Sequence, residues 1–216
     1  MIQITQPGII RLGVLASGRG SNFDAICAAI DRGDLQAQIE ILISDKADAA
    51  ALEKASKRGI SARFIDPNSF ADRQYYEGEI VSTLRGAGVE LVVLAGYMRL
   101  VGQVMLQNYR WRILNIHPAL LPSFTGLHAQ KQAVEYGVRF SGCTVHMVDE
   151  GMDTGPIIRQ AVVPVYQYDD EDSLAARILE QEHNLYWQSL QLFAQGRVYL
   201  DGRKVIIRDE SREEMA

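Results

Sequence analysis

The sequence predicts an α/β protein with a doubly wound, mostly parallel sheet flanked by helices and with antiparallel strands toward the C-terminus. Apolar runs of strand length alternate with helical patterns between residues 9 and 117, and such alternation is typical of parallel strands joined by right-handed crossovers. After residue 117 the pattern changes, and two strand patterns follow one another before a last long helix. We expect a single domain over residues 1–216, because no repeat or linker interrupts the chain.

The first unit is a strand, a glycine-rich turn and a helix. A mostly apolar run, residues 9–16, leads into a turn that contains Gly18 and Gly20, and apolar residues then recur with helical spacing. The glycines let the backbone approach a ligand closely, and either Ser21 or Asn22 is suited to cap the helix. A helix N-terminus of this kind is an anion-binding site.

The sequence of this turn is compatible with two kinds of ligand. A dinucleotide fingerprint requires glycine or alanine where the chain has Phe23. Asp45 follows the next apolar run at residues 39–43, and such an acid can bind a ribose. Binding of a dinucleotide therefore remains an alternative. We favour a phosphate monoester over a dinucleotide, and a tight turn that binds nothing is the third possibility.

The alternation continues through the middle of the chain. The predicted elements are a helix over residues 48–58, a strand over 61–65, a helix over 70–85 and a strand over 90–95. The last of these is nearly all apolar, as in strands that are buried on both faces. The segment after it contains Met98 and Leu100, which are either core residues or an apolar wall for a flat ring.

The chain is organised around residues 111–116, an apolar run that predicts a strand ending at Pro118. Alternation places Asn115 and His117 on one face, at the strand end where open α/β sheets bind ligands. An amide and an imidazolium side by side are suited to hold a developing oxyanion. The same pair at a strand end is also common as ordinary turn chemistry.

After residue 117 the sequence no longer predicts alternating strands and helices. The expected elements are a loop at residues 120–128, a helix at 129–136, strands at 141–148 and 157–165, a helix at 173–194 and a hairpin at 198–207. Residues 149–156 contain three acids, two glycines and a proline, which favours an irregular, mobile loop. Residues 210–216 should fray.

Composition excludes several classes of protein. The net charge of −5 disfavours a nucleic-acid binder. Cys27 and Cys143 are expected to be buried thiols, and no cysteine or histidine spacing suggests a metal site. The chain has no leader pattern and no apolar run that approaches 18 residues. We therefore expect a soluble, cytoplasmic protein without membrane partners.

Five motifs in order resemble the glycinamide ribonucleotide formyltransferase family of purine biosynthesis. They are Ser-Gly-Arg-Gly-Ser-Asn at residues 17–22, Leu-Ala-Gly-Tyr-Met-Arg at 94–99, Asn-Ile-His-Pro-Ala-Leu-Leu-Pro at 115–122, Gly-Leu-His at 126–128 and Asp-Thr-Gly-Pro at 153–156. Thr125 and Thr154 depart from the usual pattern without removing a chemical group. The resemblance implies a Rossmann-like formyltransferase fold, as a monomer or homodimer.

The resemblance also implies an activity: transfer of the formyl group of 10-formyltetrahydrofolate, a co-substrate, to the amine of glycinamide ribonucleotide, without a metal. It implies a phosphate-binding N-terminal half and a folate-binding C-terminal half. The residues it assigns to the ribonucleotide are Gly20, Ser21, Asn22, Pro118 and Glu182. Those it assigns to the folate are Arg73, Met98, Arg99, Leu100, Val101 and Asn115, with the loop at residues 149–153 closing over the pterin.

The catalytic set implied is Asn115, His117 and Asp153. We expect His117 to act as the general acid and Asp153 to set the charge of the ring, while a water relays protons from the attacking amine to the folate nitrogen. Three other functions would fit part of this pattern. Methionyl-tRNA formyltransferase needs a further domain and a basic surface, and formyltetrahydrofolate hydrolase has an additional N-terminal domain. A non-catalytic nucleotide-binding module would explain the glycines but not Asn115 and His117.

Overall fold

A computed structural model describes residues 1–209 of the chain. The strands are β1 Ile2–Gln3, β2 Ile10–Leu15, β3 Ala37–Ser44, β4 Ser61–Phe64, β5 Leu91–Leu94, β6 Ile113–His117, β7 Phe140–Met147, β8 Ile157–Pro164, β9 Val198–Asp201 and β10 Lys204–Ile207. The helices are α1 Ser21–Asp31, α2 Ala50–Lys57, α3 Arg73–Gly86, α4 Gln103–Asn108, α5 Ala129–Tyr136 and α6 Glu171–Ala194, with a 3₁₀ turn at Pro67–Ser69.

The main sheet has seven strands in the order β4-β3-β2-β5-β6-β7-β8. The first five are parallel, whereas β7 is antiparallel to both β6 and β8. The predicted fold class is therefore confirmed. The chain moves outward from β2 to β4 and then returns to β5 beside β2, so the strand order reverses between β2 and β5. In open α/β sheets, ligands bind at the carboxyl ends of the strands beside such a reversal.

Helices cover both faces of the sheet. Apolar residues of α1, α2, α5 and α6 belong to one buried cluster, and those of α3 and α4 belong to the other. Along β5, Leu91 and Val93 join the first cluster, whereas Val92 and Leu94 join the second. This explains the continuous apolar run at β5, because neither face of that strand meets water.

Several helix boundaries follow from capping. α3 begins at Arg73 rather than at residue 70, because the Asp72 carboxylate accepts hydrogen bonds from the backbone N–H groups of Gln74 and Tyr75, at 2.7 and 3.1 Å. α6 begins at Glu171, two residues before the predicted start, because Asp170 and Ser173 form a reciprocal capping box.

Two short elements were not predicted. The six-residue helix α4 is too short for its apolar residues to show a helical period, and β1 consists of two residues. β1 pairs with β9, and the predicted C-terminal hairpin completes a separate three-stranded sheet in the order β1-β9-β10. The prediction for residues 210–216 lies outside the described residues.

No helix within residues 1–209 is both long and apolar enough to cross a membrane.

Candidate active site

Loops from the carboxyl ends of β2 and β5 are joined at their bases. The Ser17 backbone N–H donates to the Gly96 carbonyl at 3.0 Å, and the Ser17 hydroxyl accepts from the Met98 N–H at 2.9 Å. The same hydroxyl donates to the buried Asp45 carboxylate at 2.6 Å. Asp45, considered above as a ribose ligand, thus has a partner within the protein and ties β3 to these two loops.

The glycine-rich turn leads directly into α1. Gly20 is the N-terminal cap, in the left-handed region at φ 71°, and a Cβ there would lie 2.9 Å from that of Ala51. Neither Ser21 nor Asn22 caps the helix through its side chain, so the suggested cap is wrong. Because Gly20 carries no side chain, no capping side chain bonds the first backbone N–H groups of α1.

The Asn22 amide donates instead to the Glu182 carboxylate of α6, at 2.9 Å. Glu182 is only 8% exposed, and burial raises the pKa of its carboxyl to about 7, against the opposing effect of the bond from Asn22. The Asn22 Oδ1 atom is buried and has no hydrogen-bond partner among the described residues. Two residues predicted to bind the ribonucleotide are therefore brought together across α1 and α6.

This pair predicts a pH-dependent stability. A carboxyl with a pKa of about 7 in the folded state and 4.5 in the unfolded state is protonated more in the folded state. Stability therefore falls as pH rises through this window, and the penalty is complete above about pH 7. We expect Glu182→Gln to unfold with a free energy up to about 3 kcal/mol higher than wild type at pH 8 and similar at pH 4. Urea titrations across this range measure it, and a wild-type pH profile parallel to that of the variant contradicts it.

Asn115 is fixed by a histidine of the neighbouring strand. In the antiparallel register of β6 and β7, Asn115 lies opposite His146, and its Nδ2 atom is 3.2 Å from His146 Nε2. His146 Nδ1 lies 2.9 Å from the Met147 carbonyl, so Nδ1 carries the proton and Nε2 accepts from the amide. Burial lowers the pKa of His146 and favours this neutral ring. The amide nitrogen of Asn115 keeps one N–H for another acceptor.

His117 lies between two oxygen acceptors. Its Nδ1 atom is 3.4 Å from Asp153 Oδ2, and its Nε2 atom is 2.8 Å from the Phe124 carbonyl. In the doubly protonated ring each N–H would have an acceptor. The second Asp153 oxygen, Oδ1, lies 3.7 Å from His146 Nε2. Asn115, His117 and Asp153 are therefore brought together, with His146 as a fourth member.

The loop that carries Asp153 is irregular, as predicted, and several bonds hold it. Asp153 itself is left-handed at φ 54°, and its Oδ2 atom accepts from the Gly126 N–H at 2.8 Å. The Asp149 carboxylate accepts from the Gly151 N–H at 3.1 Å and from the Thr154 hydroxyl at 2.6 Å. Arg203, in the hairpin between β9 and β10, donates to the Thr154 carbonyl. The mobility predicted for this loop stays a prediction.

The residues assigned to the folate gather around the segment after β5. Met98 and Leu100 are 65% and 60% exposed, so they are not core residues and instead present an apolar surface. The Arg99 guanidinium lies 5.4 Å from the centre of the Tyr76 ring. Arg73, on the first turn of α3, donates to the Leu100 carbonyl. Pro118 follows β6 directly and is half-buried.

His146 is the residue of this cluster that sequence reasoning missed. Its position opposite Asn115 depends on the register of two antiparallel strands, which alternation alone does not specify. The two remaining histidines lie elsewhere. His128 is exposed and lies 3.2 Å from Glu171, and burial lowers the pKa of His183, whose Nε2 has no partner within residues 1–209.

An amide, two imidazoles and a carboxylate at the carboxyl edge of the sheet, where the helix after Gly20 also begins, are groups of the kind that α/β enzymes use to stabilise an oxyanion. Comparison with known proteins gives the family. The sequence profile described as "Formyl transferase" matches residues 10–190, and the chain belongs to that family. The resemblance inferred from the five motifs is confirmed.

Named relatives agree with this assignment. The chain is 43% identical over 176 residues to the phosphoribosylglycinamide formyltransferase of Bacillus subtilis (strain 168), covering 82% of this chain and 90% of that one. It is 46% identical over 188 residues to the trifunctional purine biosynthetic protein adenosine-3 of Drosophila pseudoobscura pseudoobscura, covering 86% of this chain. The chain spans only 14% of the length of that trifunctional protein.

A solved structure has the same fold. The glycinamide ribonucleotide transformylase 1 of Symbiobacterium toebii superposes with a TM-score of 0.92 at 48% identity, covering 93% of this chain and 95% of that one.

Proposed function

We propose that this protein transfers the formyl group of 10-formyltetrahydrofolate to the amine of glycinamide ribonucleotide, in purine biosynthesis. The observation that carries the proposal is the contact of Asp153 with His117, next to Asn115, at the carboxyl end of β6. Relatives named phosphoribosylglycinamide formyltransferase, which this chain matches along most of their length, support the choice of substrates.

The reaction needs hydrogen-bond donors that stabilise a negatively charged oxygen, and a route for the transfer of one proton. The amine nitrogen attacks the formyl carbon, a C–N bond forms, and the carbonyl oxygen becomes an oxyanion. The free N–H of Asn115 and an N–H of His117 stabilise that oxygen. The bond from carbon to the folate nitrogen then breaks, and the proton lost by the amine passes through a water to that nitrogen. The products are the formylated amine and tetrahydrofolate.

Asp153 and His146 prepare these donors. The Asp153 carboxylate faces His117 Nδ1 at 3.4 Å and would pair with the charged ring. In the proposal that ring donates to the oxyanion and, as the general acid, gives a proton to the relay water and regains the proton that the amine loses. The imidazole of His146 accepts one N–H of Asn115 at 3.2 Å and so fixes the plane of the amide. In this proposal the bond from His117 to the Phe124 carbonyl is exchanged for one to the substrate oxygen.

The proposal also assigns residues to the two substrates, as the family resemblance implies. Gly20, Ser21 and Asn22 would hold the 5′-phosphate at the N-terminus of α1, and Glu182 and Pro118 would contact the rest of the ribonucleotide. Met98, Arg99, Leu100 and Val101 would line the folate site with Arg73, and the loop around Asp153 would close it. Residues 98–101 follow β5 and Arg73 precedes it, whereas the loop around Asp153 lies in the second half of the chain, so the proposed folate site draws on both halves. The proposal places the enzyme in the cytoplasm with small-molecule partners, as a monomer or homodimer.

One assay tests the proposal. Purified protein is mixed with 10-formyltetrahydrofolate, with and without glycinamide ribonucleotide, and loss of the formyl group is followed together with mass analysis of the amine. We expect turnover only when both are present, with stoichiometric formylation of the amine. Turnover without the amine would indicate a hydrolase, and no turnover with tight nucleotide binding would indicate a binding module. Either result contradicts the proposal.

A further inference from the structure

Glu77 of α3 is a buried carboxylate to which the proposed reaction gives no role. Its side chain is 4% exposed, although it lies beside the segment that carries the exposed Met98 and Leu100. A buried charge is costly unless hydrogen-bond donors surround it. The identity of those donors shows what this carboxylate does.

Three donors converge on Glu77, and two of them come from the segment after β5 and the start of α4. Glu77 Oε1 accepts from the Gly102 N–H at 2.6 Å and from Arg73 Nε at 2.9 Å. Its Oε2 atom faces the Met105 N–H at 3.4 Å. Arg73 in turn donates to the Leu100 carbonyl. The carboxylate and Arg73 together therefore hold the chain on either side of residue 101.

The contact with Gly102 has no spare room. A Cβ on Gly102 would lie 2.5 Å from Glu77 Oε1 and 2.8 Å from Arg73 Nε, so a larger residue at position 102 would displace the carboxylate or the guanidinium. The other end of the segment is also attached to α3, because the hydroxyls of Tyr76 and Tyr97 are 2.9 Å apart. Residues 97–102 are thus held at both ends.

The attachment of residues 97–102 at both ends explains why the apolar side chains of Met98 and Leu100 remain exposed to water. A free loop would lower its energy by turning Met98 and Leu100 toward the core, whereas a loop attached at residues 97, 100 and 102 cannot. We infer that Glu77 is a positioning residue for the folate co-substrate: it fixes the course of residues 97–102, so that their apolar side chains and backbone groups face the bound ring. The inference rests on the proposed function, and it assigns Glu77 no contact with either substrate.

The test compares Michaelis constants for the two substrates. Glu77→Gln keeps one acceptor oxygen but places an amide N–H₂ group against a backbone N–H donor. We expect its KM for 10-formyltetrahydrofolate to rise about tenfold, with kcat and the KM for glycinamide ribonucleotide within about twofold of wild type. Gly102→Ala disturbs the same contact from the opposite side and should give the same pattern. It is the second test if Glu77→Gln folds poorly.

Glu79→Gln is the matched control, because Glu79 lies on the same helix and bonds only the exposed Arg63 in the described residues, at 2.6 Å. Equal folate KM values in the Glu77 and Glu79 variants, or a parallel rise of both KM values, would overturn the inference. Hydrogen exchange of the backbone amides gives a readout independent of catalysis. If wild type shows no formyl transfer, the proposed function fails. Faster exchange confined to residues 97–102 in Glu77→Gln would still support the positioning role, and equal exchange in both variants would refute it.

Discussion

Asp153→Asn is expected to lower kcat by about 10³-fold or more at every pH between 6 and 9, by analogy with other buried acid–imidazole pairs. The asparagine keeps the size of the side chain, and its oxygen can still accept from the Gly126 N–H. It removes the charge that faces His117 Nδ1 at 3.4 Å, and its N–H₂ group can place a donor against the ring. The charged form of His117 then loses its partner, and with it the oxyanion loses a donor.

The measurement is single-turnover formyl transfer with both substrates saturating, which separates the chemical step from binding. Glu135→Gln removes an exposed acid of α5, outside both proposed substrate sites, and serves as the control, with a kcat close to that of wild type. A kcat for Asp153→Asn within threefold of wild type across the pH range would show that the carboxylate does not set the charge of His117.

Asn115→Ala and His117→Ala are each expected to reduce kcat by about 10²–10³-fold, the usual cost of removing one oxyanion donor. The double variant should lose much less than the product of the two, because both side chains act on one oxygen. Binding of a non-reactive folate analogue should stay within about fivefold of wild type, since these donors act on the transition state rather than on the ground state.

The control for this pair is Asn108→Ala, an amide that bonds only the Val104 carbonyl of its own helix among the described residues, at 2.7 Å. We expect wild-type kcat for it. If Asn115→Ala raises the Michaelis constants tenfold and leaves kcat intact, the amide binds the substrate and has no part in stabilising the oxyanion.

Much of the fold was predictable because its signals are local. The apolar run at β5, the helical spacing after Gly20 and the glycine after α5 each depend on neighbouring residues in the chain, and all of these elements were confirmed. The short elements were not predicted, because the six residues of α4 and the two of β1 are too few to show a local period.

Local signals likewise predicted some residues of the candidate site, and contacts between distant segments supplied the others. Asn115 and His117 were predicted because they lie two residues apart on one strand, and the motifs supplied Asp153. The partner of Asn115 was missed, because His146 reaches it through the register of β6 and β7. Glu77 was missed because its donors, Gly102 and Met105, lie on another element.

The sequence by itself determined the parallel sheet, the helix that begins after Gly20 and the pair of polar side chains at the end of β6, because each follows from a short period or a glycine in one stretch of chain. Only the tertiary structure decided which groups surround that pair. The contacts of Asp153 with His117, and of Glu77 with Gly102, join segments 36 and 25 residues apart in the chain. Such contacts arise when packing brings distant backbones together, and no local pattern specifies them.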